Sequence, residues 1–162
     1  MGLVNVRIDE RLIHGQVAGI WTNTLNTQRI IVANDKAAEN PIDKASLRMA
    51  APSTVRLSVI TVEAAAKNIT SGKYGDQRIF LIFKNPTDVN KFLELGGSIE
   101  ELTVGNMSHK DNTTEITKSI YVSNEENIIF NEIKNKGVKI VSQLVPNEPA
   151  IDFMKKLTEK IK

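Results

Sequence analysis

The sequence predicts an α/β fold of three layers: a mostly parallel central sheet of about seven strands with helices on both faces. Two observations carry this. Short runs rich in isoleucine and valine alternate with longer stretches of helical period along the chain, and such alternation builds parallel sheets through crossover helices. Runs such as Gln28–Ala33 and Arg78–Phe83 are apolar almost without a break, as expected of strands covered on both faces. At 162 residues, with 41% hydrophobic and 25% charged residues, the chain suits one globular domain, residues 1–162, with a sizeable core.

The elements follow in order. Leu3 to Ile8 alternates apolar and polar residues and reads as a strand. From about Gly15 to Leu25, apolar residues recur at Val17, Ile20, Trp21 and Leu25, a helical spacing. Gln28–Ala33 is a buried strand. Lys36–Ala50 reads as helical, with Pro41 acceptable at the start of a second helical piece. Thr54–Ile60 is a strand, and Thr61 can cap a helix over Val62–Ile69. After a turn at Ser71–Gly75, Arg78–Phe83 reads as a central strand. Pro86 opens a helix to about Leu95, stopped by Gly96-Gly97. Glu101–Val104 is a short strand, Gly105–Thr114 a polar loop, and Ile116–Val122 another strand. Ser123 caps a helix through about Lys136, which Gly137 ends. Val138–Leu144 is the last strand and Ile151–Lys162 an amphipathic helix. The short Glu101–Val122 region has room for one antiparallel strand.

Composition removes several function classes. A formal net charge of +2 is too small to argue for nucleic acid. The absence of cysteine removes disulfides, thiolate metal sites and cysteine nucleophiles. No apolar run approaches the ~20 residues of a membrane span. Met1–Asn5 has no basic region followed by an apolar stretch, and Val6 stands where a myristoylation signal wants Ser or Thr. A cytoplasmic protein is expected.

The chemistry gathers in the first strand-to-helix loop. Arg7 to His14 places two arginines, two carboxylates and a histidine in eight residues. In open α/β sheets ligands bind outside the carboxyl ends of the strands, and this loop leaves such an end. His14 lies just before a helix start, where backbone N–H groups and the helix dipole suit an anion. Arg7 and Arg11 can add charge-assisted hydrogen bonds. Asp9 can hold the loop or orient one ring nitrogen of His14 and leave the other free. Gly15 leaves space where a partner approaches. These parts read as a histidine that accepts and passes on a phosphoryl group. The same residues also suit a helix cap with solvated ion pairs, or the phosphates of a nucleotide, although neither a P-loop nor a G-x-G-x-x-G fingerprint is present.

The run Arg7-Ile8-Asp9-Glu10-Arg11-Leu12-Ile13-His14-Gly15-Gln16-Val17 closely resembles the signature of the IIB subunit of mannose/fructose/sorbose-class sugar phosphotransferase systems. The similarity continues through Trp21, Ile30–Asp35, Asn85–Asp88, Val104–Met107 and Lys118–Val122, and so covers nearly the whole chain. The resemblance implies that His14 takes a phosphoryl group from a phosphorylated IIA protein and passes it to a sugar imported through the membrane subunits IIC and IID. Arg11, Arg7 and Asp9 would assist, and Gly15, Gln16, Ser108 and Lys110 would contact the phosphoryl group. The family usually carries a glycine pair before the methionine of Val104–Met107; this chain has Asn106 there, and the nearby basic role falls to Lys110 or His109. No metal or other cofactor is implied, the protein would associate peripherally with the permease, and a homodimer is compatible with the sequence. Mannose, fructose, sorbose and amino sugars such as N-acetylgalactosamine all remain as substrates.

Other readings attach to single residues. Asn34-Asp35 ends a strand and suits a helix cap. Asp35 would otherwise serve a receiver-like phosphoaspartate switch, with Asp9 and Glu10 as further carboxylates for magnesium. Trp21 reads as a core or interface residue. A non-catalytic module in which phospho-His14 only signals is the remaining class.

Overall fold

The computed structural model describes residues 2–161; the side chains of Gln16 and Val17 lie outside that description. In chain order the elements are β1 (Leu3–Asp9), α1 (Gly15–Leu25), β2 (Arg29–Ala33), α2 (Asp35–Glu39), α3 (Pro41–Ala50), β3 (Arg56–Ile60), α4 (Val62–Thr70), β4 (Ile79–Phe83), α5 (Pro86–Glu94), β5 (Glu101–Asn106), β6 (Thr113–Thr117), β7 (Ile120–Ser123), α6 (Asn124–Asn135), β8 (Lys139–Ser142), β9 (Ile151–Asp152) and α7 (Phe153–Lys160).

Seven strands form one sheet in the order β3-β2-β4-β1-β5-β8-β9, and every pairing in it is parallel except β8 with β9. Two apolar layers cover it. Val6, Ile8, Leu81 and Phe83 pack with residues of α4, α5, α6 and α7. Ile30, Val32, Phe80 and Ile82 pack on the other face with Trp21 of α1, Ala37 of α2 and Leu47 of α3. All five residues of β4 are buried, as a strand covered on both faces requires.

Local chemistry sets the boundaries. Thr61 accepts from the Ala64 N–H at 3.1 Å, and Asn40 caps α3 ahead of Pro41. Ser123 and Glu126 form a reciprocal capping box at α6. Gly96 and Gly137 close their helices with φ of 98° and 93°, which glycine adopts without a Cβ penalty.

Four expectations are corrected. Ile116–Val122 is not one strand: β6 and β7 form an antiparallel hairpin in a separate two-stranded sheet. A tight turn at Lys118-Ser119 interrupts a run whose alternation reads as continuous. Glu101–Val122 thus does contain antiparallel pairing, in that hairpin, while the antiparallel strand of the main sheet is β9. The strand expected to reach Leu144 ends at Ser142, because the Gln143 and Leu144 carbonyls turn to bond Arg7. The last helix begins at Phe153, since Asp152 caps it by accepting from the Lys155 N–H at 3.2 Å. On α1, Trp21 points into the core while Ile20 is 47% exposed; Val17 lies outside the described side chains.

Candidate functional site

β1 hands the chain to α1 toward β2, on one face of the sheet, while its neighbour β5 leads toward β8 on the other side. Adjacent strands whose connections diverge leave a crevice at their carboxyl ends, where α/β proteins bind ligands. The loop Glu10–His14 leaves β1 there, beside the end of β5.

The loop is tightly wound. The Leu12 N–H donates to the Asp9 carbonyl at 2.8 Å, and the Arg11 N–H donates to Asp9 Oδ1 at 3.0 Å. This Asx-type turn uses the short side chain of Asp9. Leu12 takes a φ of 62°, a conformation of real cost for a non-glycine residue. His14 is extended and precedes α1 as its N-cap residue, yet its side chain makes no capping hydrogen bond. Its Nε2 instead faces Asp9 Oδ2 at 3.3 Å. An imidazole whose Nε2–H donates to a carboxylate keeps the Nδ1 lone pair for another atom.

Beneath this pair lies Arg7. It is 2% exposed, its Nε is 3.9 Å from Asp9 Oδ2, and Nη1 and Nη2 donate to the Gln143 and Leu144 carbonyls at 2.7 and 3.0 Å. Its guanidinium sits 5.1 Å from the centre of the Trp21 ring, and the Trp21 indole N–H donates to the same Leu144 carbonyl at 2.9 Å. Burial pulls the Arg7 pKa down to about 10 against the raising effect of Asp9, so the residue remains a cation at neutral pH. A line runs from buried cation to buried carboxylate to a histidine whose side chain is 25% exposed. The space beneath the ring is nearly filled, with a void of about 10 Å³.

The structure separates the residues expected at the site. Arg11 stands at the surface, with a side chain 51% exposed, on the rim of the His14 loop. Arg7 and Asp9 lie under the loop and support it. Gly15, at φ 38°, has open space where a Cβ would stand, and Gln16 lies outside the described side chains. Ser108 and Lys110 both bond the Glu10 carboxylate. Burial pushes that carboxyl up, but the hydrogen bonds from Lys110 and Ser108 outweigh it and leave it below the ordinary glutamate value. His109 is exposed and packs edge-on to Tyr121.

Asn34 caps α2 by accepting from the Ala37 N–H at 2.9 Å, and donates through Nδ2 to Asp88 at 2.7 Å. Asp35 accepts from the Val62 N–H and pairs with Lys91 at 2.8 Å. Its carboxylate is thus committed away from Asp9 and Glu10, and among the described residues no cluster of His, Asp or Glu suits a metal ion. A cleft of about 620 Å³ flanks the loop beside Arg11, Asn34 and Asp88, but His14 does not line it. The His14 side chain is one quarter exposed and lines the small void under the loop instead.

The sequence places Gly105 at the head of a loop that can meet the His14 loop at one sheet edge, but does not show its contact with Arg7. A Cβ there would collide with the Arg7 guanidinium. The register between β1 and β5 slips at the same place, so that Ile8 pairs with Val104 and Asp9 with Asn106. A lone glycine at the end of an apolar strand is the signal that marks such a close approach.

Fold and loop together define a class: a doubly wound α/β protein that presents a carboxylate-oriented histidine at its switch point. The family model for the "PTS system sorbose subfamily IIB component" matches residues 3–162. The chain is 32% identical to the sorbose-specific EIIB component of Klebsiella pneumoniae over 98% of this chain and 97% of that protein. It is 34% identical to the mannose-specific EIIAB component of Escherichia coli (strain K12), over 91% of this chain and 46% of that longer protein. The crystal structure of the IIBSor domain of the Klebsiella pneumoniae sorbose permease superposes with a TM-score of 0.92 at 32% identity, covering 98% of both chains. This chain belongs to the sorbose subfamily of phosphotransferase-system IIB components.

Proposed function

We propose that this protein is a phosphohistidine carrier. His14 accepts a phosphoryl group from the phosphohistidine of a IIA protein and transfers it to a sugar entering through IIC and IID. One observation carries the reading: the His14 ring stands at the start of α1 with Nε2 turned to buried Asp9, which leaves Nδ1 as the nitrogen for phosphorus.

In the first step Nδ1 attacks phosphorus in line as the P–N bond to the donor histidine breaks. The ring becomes positive, and Asp9 stabilises it as a carboxylate stabilises an imidazolium. Arg11 and backbone N–H groups at the start of α1 offset charge on the transferring oxygens. In the second step a sugar hydroxyl attacks phosphorus as the P–Nδ1 bond breaks; its proton passes to solvent, and His14 departs as neutral imidazole that keeps its Nε2 proton. Positioning and charge stabilisation carry such reactions. The His14 side chain reaches solvent with a quarter of its surface, which suits delivery of both donor and acceptor by other proteins. Among the described residues no helix is long and apolar enough to cross a membrane, and in this reading the protein docks on the permease subunits from the cytoplasm. Sorbose- and mannose-specific relatives stand at 32% and 34% identity, so the choice of sugar is assigned to the membrane subunits.

The test is mass spectrometry of the intact protein after incubation with phosphoenolpyruvate, the general phosphotransferase proteins and a IIA protein of this class. One acid-labile phosphate is expected, mapped to His14 and absent from His14→Ala, whose thermal unfolding stays close to that of the native chain. Label that persists in His14→Ala overturns the assignment.

A further inference from the structure

On the basis of the phosphohistidine reading, we infer that Glu10 is a positioning residue whose carboxylate clasps the loop between β5 and β6 and holds Ser108 and Lys110 beside the His14 loop. Three donors converge on this one carboxylate: the Ser108 N–H at 3.3 Å, the Ser108 hydroxyl and the Lys110 ammonium. The Glu10 N–H in turn donates to the Asn106 carbonyl at 3.1 Å. Main chain and side chain together tie two loops that leave adjacent strands on either side of the switch point.

The clasped segment has few other ties. Residues 108–112 are all exposed. The turn that follows closes on itself, with the Lys110 N–H donating to Thr113 Oγ1 at 3.2 Å and the Thr113 hydroxyl returning to the Lys110 carbonyl at 2.6 Å. Before it, Met107 is fixed to the hairpin through Ser119 and Tyr121. Between these anchors the contacts are the edge of His109 on Tyr121 and the Glu10 carboxylate. A lone exposed ion pair contributes little, but Glu10 is 22% exposed and also takes a backbone N–H, whose loss leaves the segment unheld. Glu10 acts through Lys110 and Ser108: it fixes where a cation and a hydroxyl stand when a phosphoryl group reaches His14.

Glu10→Gln keeps the shape and removes the charge. The first readout needs no partner protein. Amide hydrogen exchange in Glu10→Gln should accelerate at Ser108 and its neighbours and stay unchanged in β1, β4 and α1. The second readout is steady-state transfer from the phosphorylated IIA protein. Glu10→Gln should lower kcat about tenfold, as misplacement of a contacting group does, with KM for the donor within about twofold. The triple variant Glu10→Gln/Ser108→Ala/Lys110→Ala should be no slower than Ser108→Ala/Lys110→Ala, because Glu10 acts only through those two side chains. Unchanged exchange at Ser108, or a further loss in the triple variant, overturns the inference. Should the native chain accept no phosphoryl group, the phosphohistidine reading falls, and the exchange measurement still decides whether Glu10 holds the loop.

Discussion

The Arg7 guanidinium lies directly against the α-carbon of Gly105, on the strand next to its own, and no side chain fits between them. The contact lies under the His14 loop: Arg7 Nε is 3.9 Å from Asp9 Oδ2, and the same oxygen faces His14 Nε2 at 3.3 Å. Gly105→Ala should therefore act in two ways. It should destabilise the fold by about 1–3 kcal/mol, the usual cost of overpacking a filled interior. It should also slow phosphoryl acceptance in the molecules that remain folded, since Arg7 must shift. Urea unfolding and the rate of His14 labelling measure the two effects; a variant with native values in both would show that the guanidinium yields freely.

Arg7 serves as a fork. Its two Nη groups bond the Gln143 and Leu144 carbonyls while its plane rests near the Trp21 ring. Lysine carries the charge but cannot bond both carbonyls in that geometry. Arg7→Lys should lose about 1–2 kcal/mol, the worth of one hydrogen bond from a charged donor, since the Leu144 carbonyl keeps its bond from the Trp21 indole. The midpoint of denaturant unfolding reads this, and a midpoint equal to the native one removes the fork argument.

Asp9→Asn tests the orientation of the ring. The carboxylate accepts both from the Arg11 N–H through Oδ1 and across 3.3 Å from His14 Nε2 through Oδ2. An amide has one acceptor atom and must turn its NH2 group toward the other partner. Turned toward His14, that group favours the tautomer with the proton on Nδ1 and blocks the attacking nitrogen. Transfer should fall on the order of a hundredfold, as loss of an orienting carboxylate does. The initial rate of labelling by a phosphorylated IIA protein is the measurement, and a rate within a few fold of native sinks the orienting role.

The layering of the fold was legible because burial on both faces leaves a plain trace: Ile30–Ala33 and Ile79–Phe83 are apolar runs of strand length. The His14 loop was legible from its charge density at a strand end. Other features left little trace. β9 is two residues long, too short for any period to register. The hairpin of β6 and β7 hides its turn inside an alternating run. Arg7 read as a charge-assisted contact to the anion, and alternation in β1 puts Val6 and Ile8 on one face and Arg7 and Asp9 on the other. α1 covers that face, so the arginine became support for the loop. Glu10 and Gly105 matter through neighbours about a hundred residues away in the chain, a closeness that only β1–β5 pairing creates.

Asp88 gives the fold a predictable response to pH. Burial raises its carboxyl above the ordinary value of 3.8; the Asn34 hydrogen bond opposes this and the charge of Asp35 adds to it. The folded state thus holds this proton more tightly than the unfolded chain does. The stability this contributes is fully present below 3.8 and is lost as pH rises through the raised folded value. Asp88→Asn has no such titration, and its amide oxygen can still accept from Asn34 Nδ2. The difference in unfolding free energy, variant minus native, should therefore move in favour of Asp88→Asn as pH rises from 3.8 through that folded value, then level off. Urea midpoints at a series of pH values measure the slope. A difference that moves the other way would mean that Lys91 and the start of α5 hold the Asp88 charge more strongly than burial opposes it.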